Sequence, residues 1–232
     1  MPETEQRGRP VRRMNPANAL EQFVYIPGKR QDKVVLVAHA DTVWDKDWMN
    51  WNRIHKPERG TIMEHAIVQN GNIISSETSG FGIGADDRAG CAILWLLKDS
   101  GHSLLITNGE EHRQVGSNWL MNNHLDIAQE LNTHLFMIQL DRENAKEFKC
   151  YTVGTDEFRN FISTTTAYTE PDRLRTTDIG VLCKDICGVN FSIGYYDDHT
   201  KNEIIKIDEW CNTLEMVRHL IDSELNGFIL DN

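Results

Sequence analysis

Apolar positions along this chain follow two periods, and the two alternate. Short β-type runs occupy Phe23–Ile26, Val34–Ala38, Ser103–Thr107, Leu135–Leu140 and Val189–Tyr195. Val34–Ala38 is apolar at every position, the pattern of a strand covered on both faces. In A-I-V-Q-N-G-N-I-I-S, Asn70 and Gly71 stand between two further β-type runs and predict a hairpin. Helical spacing fills the gaps. Arg88–Lys98 is crowded with Cys91, Ala92, Leu94, Trp95 and Leu97, which predicts a well-buried helix. Asp86 and Asp87 stand at its start, where the helix dipole favours acids. Ser117–Asn122 is a shorter helix, and Thr155–Thr166 puts Phe158, Phe161 and Ile162 on one face. Near the end, Ile207, Trp210, Leu214, Val217 and Ile221 recur at three- and four-residue steps. Asp208 and Glu209 sit in the first turn of that helix, with Arg218 and His219 further along, as the dipole prefers. Strands alternating with helices predict an α/β fold: three layers, a mostly parallel central sheet and helices on both faces. Such sheets gather their functional groups outside the carboxyl ends of the strands.

Length and composition narrow this without redirecting it. The 232 residues fit one domain with a sizeable core. Residues 1–16 read as a polar arm carrying Arg7, Arg9, Arg12 and Arg13, and 17–232 as a single catalytic domain. The formal charge of −11 argues against a nucleic-acid binder, whose affinity rests on basic patches. Five scattered cysteines, Cys91, Cys150, Cys183, Cys187 and Cys211, form no disulfide framework and fit a reducing compartment. Cys183 and Cys187 lack the second Cys or His pair of a zinc finger and read as two buried thiols on a helix. No run approaches the ~20 apolar residues of a membrane span. The first residues contain no apolar signal-like stretch, so the expected location is cytoplasmic.

Five short stretches carry the candidate chemistry: V-A-H-A-D-T (His39, Asp41), G-A-D-D-R-A-G (Asp86, Asp87), T-N-G-E-E-H (Glu110, Glu111), I-Q-L-D-R (Asp141) and Y-D-D-H-T (His199). Each lies at or just beyond a strand-like run or opens a helical one. His39 and Asp41, two apart in an extended segment, face the same side. A metal-binding imidazole needs its other N–H held, which a carboxylate two residues on can do; a strand-end histidine with a capping Asp fits equally. Asp86 between glycines suits a carboxylate bridging two cations or the N-cap of the next helix. Adjacent Glu110 and Glu111 repel unless a cation or proton relieves them, or they are simply exposed in a loop. Asp141 ends an apolar run, where a charge must be solvated or bound. His199 has no local partner that explains it.

Taken in order, these stretches resemble the co-catalytic di-zinc exopeptidases, a clan of aminopeptidases, di- and tripeptidases, carboxypeptidases and amino-acid deacylases. The resemblance spans roughly residues 33–221. It is most specific in V-L-V-A-H-A-D-T-V, G-I-G-A-D-D-R-A-G-C-A and T-N-G-E-E-H-R-Q-V-G-S, with Y-Y-D-D-H-T-K-N-E-I-I-K-I resembling the family's last-ligand loop. It implies that Asp86 bridges two metals, that His39 and Asp141 complete one site, and that Glu111 and His199 complete the other. Asp41 would orient His39, Glu110 would be the general base, and the Asp86–Asp87 peptide would be cis. The implied cofactors are two divalent ions, zinc by default, with manganese or cobalt as substitutes. The implied substrate is a small peptide or acyl-amino acid, and an aspartate at 141 resembles the amino- and dipeptidases, where carboxypeptidases and deacylases more often carry Glu. The stretch between Asp141 and His199 is too short for the satellite dimerisation domain many members insert, so the compact single-domain form is expected. Tyr195, Tyr196 and Arg113 are candidates for stabilising the oxyanion. Rival readings are a single-zinc acyltransferase resembling glutaminyl cyclases, which has no use for His39, an N-acyl amino acid deacylase, and a non-catalytic metal-binding relative.

Overall fold

The computed structural model describes residues 10–43, 66–78, 80–172 and 176–230. Arg7 and Arg9 of the expected arm lie outside them. Seven strands form the central sheet: β1 (Val11–Asn15), β2 (Asn18–Ile26), β3 (Val35–His39), β6 (Ser103–Thr107), β7 (Met137–Arg142), β8 (Phe148–Lys149) and β9 (Gly188–Ser192). Their order is β1-β2-β6-β3-β7-β9-β8. The inner four, β6-β3-β7-β9, pair in parallel, while β1, β2 and β8 join antiparallel at the two sides. The sheet is therefore mixed around a parallel centre. Residues 11–15, read from the sequence as part of a polar arm, are instead strand β1, and Arg12 and Arg13 pair with Val24 and Phe23. A polar edge strand leaves no apolar alternation to read, so its pattern matches that of a tail.

A second, antiparallel sheet joins β4 (Ile67–Asn70), β5 (Ile73–Ser76), β10 (Tyr195–Tyr196) and β11 (Ile204–Lys206) in the order β10-β11-β5-β4. The Asn70-Gly71 hairpin is present as β4–β5.

Helices cover both faces of the central sheet. Alternation along β3 decides which residue meets which layer. Leu36 and Ala38 pack with Ile93 and Leu94 of α1 (Ala85–Leu96), Phe158 and Ile162 of α4 (Asp156–Thr166), and Val217 and Ile221 of α6 (Ile207–Asp222). Val35 and Val37 pack on the other face with Leu120 of α2 (Val115–Asn123), Leu131 of α3 (Leu125–Leu131), and Ile179 and Leu182 of α5 (Asp178–Leu182). All of Val34–Ala38 is fully buried, as its unbroken apolar run predicts.

Two expectations fail locally. Helix α1 is buried on one side only: Trp95 is 66% exposed and Leu96 50%. Its tally of apolar residues overstated its burial, because they spread around the helix rather than along one stripe. Cys183 and Cys187 are buried but not helical; α5 ends at Leu182, and Cys183 already has extended dihedrals.

Candidate metal centre

The parallel strands β6, β3, β7 and β9 run the same way, so their carboxyl ends share one edge of the sheet. His39 ends β3, Glu110 and Glu111 follow β6, Asp141 lies in β7, and His199 follows β10 in the loop before β11. Asp86 arrives from the segment that opens α1. The Asp86–Asp87 peptide is cis, the form that the resemblance implied. Neither aspartate has helical dihedrals, so the helix proper begins after Asp87.

Asp87 ties this junction together. One carboxylate oxygen accepts the Gly90 N–H (3.0 Å), capping the helix, and the other accepts the His39 backbone N–H (2.9 Å). Gly90 is required there: a Cβ would lie 2.0 Å from the Leu140 carbonyl oxygen of β7.

The five expected ligands converge around Asp86. Its Oδ1 is 3.0 Å from His39 Nε2, and its Oδ2 is 3.1 Å from His199 Nε2. His39 Nε2 also lies 3.2 Å from Asp141 Oδ1, and His199 Nε2 contacts Glu111 Oε1. His39, Asp86 and Glu111 each offer a ligand atom within 4.8 Å of one another, as do His39, Asp87 and Asp141, and Asp86, Asp198 and His199.

Hydrogen-bond chemistry shows what this arrangement needs. His39 Nδ1 meets the Asp41 carbonyl oxygen at 2.9 Å. A carbonyl only accepts, so Nδ1 carries the hydrogen and neutral His39 presents a lone pair at Nε2. That lone pair faces two carboxylate oxygens, which also only accept. Asp86 Oδ1 is buried and makes no hydrogen bond. Such a set is satisfied by a proton on the ring or by a cation at its centre. Burial works to lower the His39 pKa, but the Asp141 charge and the close contacts with the Asp141, Asp41 and Asp86 side chains outweigh it and hold it well above its ordinary value. His199 follows the same pattern: burial opposes, Asp86 and Glu111 prevail, and the ring is raised to about 10. Ligand atoms about 2.0–2.1 Å from a tetrahedral ion stand roughly 3.3 Å apart, close to the His–carboxylate spacings here. The residues thus fit divalent metal, with N and O donors and no thiolate.

The surroundings fix the candidate ligands. Asp141 Oδ2 accepts from Gln139 Nε2 (2.8 Å) and Thr177 Oγ1 (3.1 Å), leaving Oδ1 toward His39. Asn190 accepts the Asp141 N–H through Oδ1 (3.0 Å) and donates from Nδ2 to its carbonyl (3.0 Å). Asp41 meets His39 twice: its carbonyl oxygen lies 2.9 Å from Nδ1 and its carboxylate 3.4 Å from the same nitrogen, while that carboxylate also accepts the backbone N–H groups of Glu110 (3.1 Å) and Glu111 (3.2 Å). Buried Asp178 accepts from Thr107 and Ser117 and braces the same loop. Burial, with the Asp141 charge next, pushes the Glu110 carboxyl up to about 9. Gln114 Nε2 donates to Glu110 Oε1 at 3.1 Å.

A cleft of about 750 Å³ opens over these groups. Arg113 and Tyr195 line it, as does Tyr151, which the sequence did not single out. Tyr196 turns away: its hydroxyl donates to Glu209 (2.6 Å) and its ring lies under Lys206. Asn190, Thr177, Gln139, Asp178 and Asp198 were also missed. Apart from Asp198, which adjoins His199, each meets its partner across 36–71 residues or stands inside an ordinary strand pattern.

No family model matches the sequence, and no curated protein matches it. Solved structures do. Aminopeptidase PepT from Bacillus cereus is 14% identical with a TM-score of 0.58, the match covering 92% of this chain and 88% of that one. A tripeptidase from Staphylococcus aureus is 13% identical with a TM-score of 0.62 over 91% and 88%. The chain shares the fold of these peptidases. An aminopeptidase from the archaeon Desulfurococcus kamchatkensis carries the same fold at 12% identity, with a TM-score of 0.57 over 93% and 86%.

Proposed function

We propose that this chain is a metal-dependent peptidase of the aminopeptidase or di/tripeptidase kind. The observation that carries the reading is Asp86, which presents one carboxylate oxygen to each of two imidazoles. His39, Asp86 and Asp141 would hold one divalent ion, and Asp86, Glu111 and His199 a second, zinc by default. The structural neighbours named as aminopeptidases and a tripeptidase support a peptide substrate.

Ions held there would supply Lewis acidity that polarises a carbonyl and lowers the pKa of water. Glu110 does the proton work. Its carboxyl stands high in the absence of cations, and positive charge at the neighbouring ligands lowers it toward neutrality, where a general base is most effective. Gln114 holds Oε1, which leaves Oε2 to take a proton from the attacking water and return it to the leaving amine. Arg113, Tyr151 and Tyr195 stand along the cleft to orient the substrate and to stabilise charge on its carbonyl oxygen.

The test is hydrolysis of aminoacyl amides, di- and tripeptides and N-acyl amino acids by protein loaded with zinc, manganese or cobalt, beside Glu110→Gln. The variant is expected to keep both ions and to lose about 10²–10⁴-fold in kcat. Full activity in Glu110→Gln would remove the base assignment, and no turnover on any of the panel would remove the peptidase reading.

A further inference from the structure

Asp86 is held to its neighbours from two directions. On the β3 side, Thr42 Oγ1 donates to the Asp86 carbonyl oxygen (2.5 Å), and the adjacent Asp87 carboxylate accepts the His39 N–H. On the other side stands Glu203, a carboxylate only 1% exposed that belongs to the His199 loop. Its backbone N–H donates to the Thr200 carbonyl (3.2 Å), and its side chain reaches across to accept the N–H groups of Gly84 (2.5 Å) and Asp86 (3.0 Å). Gly84 is left-handed, with φ 64, which aims the chain for this contact. The two loops meet closely enough that a Cβ on Gly82 would lie 2.4 Å from the Thr200 carbonyl and 2.8 Å from Glu203 Oε2.

A carboxylate with both oxygens spent on backbone N–H groups is a fixed strut. Such donors strengthen when the acceptor is charged, and removing one partner leaves a buried N–H unsatisfied. The strut joins the segment carrying the bridging carboxylate to the loop carrying the last imidazole. The His39 half of the centre has its own ties to β3 through Thr42 and Asp87.

We propose that Glu203 is a positioning residue that sets Asp86 Oδ2 against His199 and thereby governs occupancy of the second metal half-site, leaving the first largely untouched. The inference rests on the two-ion reading above. It predicts that the ion between Asp86, Glu111 and His199 is the one lost when the strut is removed.

The test is calorimetric titration of metal-free protein with zinc, read for each binding step, with thermal unfolding of the metal-free forms alongside. In Glu203→Gln the amide keeps one acceptor and loses the other. The expected result is a second step weakened about 10–100-fold, the usual cost of losing an outer-shell partner, and a first step within about threefold of wild type. Glu203→Asp, which keeps the charge but shortens the reach, is expected between the two. Glu170→Gln, altering a carboxylate engaged instead with Cys150, Lys149 and Arg159, is expected to bind as wild type. If Glu203→Gln does not fold, Gly82→Ala wedges the same junction without changing charge and is expected to weaken the second step alone. Equal weakening of both steps, or two wild-type steps in a folded variant, overturns the proposal. Absence of zinc binding by wild type overturns the underlying two-ion reading instead.

Discussion

Two pairs of histidines sit at opposite edges of the same parallel sheet and have opposite surroundings. His102 and His134 lie just before β6 and β7, at the amino ends of the strands. His102 Nδ1 accepts the Val34 N–H (3.1 Å), and its Nε2 donates to the Ile221 carbonyl (3.0 Å). His134 Nδ1 donates toward the Glu130 and Leu131 carbonyls, and its Nε2 accepts from Ser103 Oγ (2.7 Å). Each ring has one donor and one acceptor, is complete when neutral, and has its pKa lowered by burial, to about 4 for His134. His39 and His199, at the carboxyl edge, face carboxylates instead, and their pKa values rise. His39, His102 and His134 are buried and His199 is half-buried, so burial does not sort the two pairs. What separates a packing histidine from a candidate ligand is whether the far ring nitrogen meets a complementary group or a second acceptor.

That contrast breaks most sharply by substitution at the carboxyl edge. His39→Ala should lower affinity for the first ion by more than the about 10–100-fold that an outer-shell loss costs, measured by zinc titration, with the metal-free fold retained. The amino edge should respond to acid instead. His134 has a folded pKa of about 4 against about 6.5 unfolded, so its neutral form stabilises the fold above pH 6.5. As pH falls from 6.5 to 4 the unfolded chain binds the extra proton, and about 3 kcal/mol of stability should be lost. Urea unfolding of metal-free protein across that window checks this, and His134→Gln should flatten the slope. Next comes Asp87, beside the candidate ligands but engaged with backbone. Asp87→Ala should cost about 2 kcal/mol, from the lost cap and an unsatisfied buried N–H, while the number of bound ions stays the same. Smallest is Thr155, whose Oγ1 caps α4 by accepting the Phe158 N–H at 3.2 Å, far from the centre. Thr155→Ala should cost about 1 kcal/mol in thermal unfolding and leave metal binding untouched.

The strands of the parallel centre were legible because burial on both faces writes an unbroken apolar run, as in Val34–Ala38. The amphipathic helices α4 and α6 were legible from their periodicity. Strand β1 was not, since a polar edge strand has no buried face to mark it. Helices α3 and α5 were too short to build a period. The converging groups were found by the order of their motifs along the chain, not by any one of them. Their supports were invisible for a physical reason. Glu203 meets Gly84 and Asp86 across 119 and 117 residues, and Gln139, Thr177 and Asn190 act on Asp141 only once β7 and β9 are paired. Asp41 shows what spacing leaves out: its offset from His39 points to contact with the ring, but not to the backbone carbonyl that shares that contact nor to the N–H groups of Glu110 and Glu111 that the carboxylate also accepts.

The most direct measurement is the number of zinc ions bound per chain by metal-free protein, titrated for wild type and His39→Ala side by side. Two ions in wild type, and one in His39→Ala, is the expected result. A single ion in both proteins would show that His39 has no part in binding, as in a one-metal acyltransferase, and no ion in either would contradict the metal centre itself.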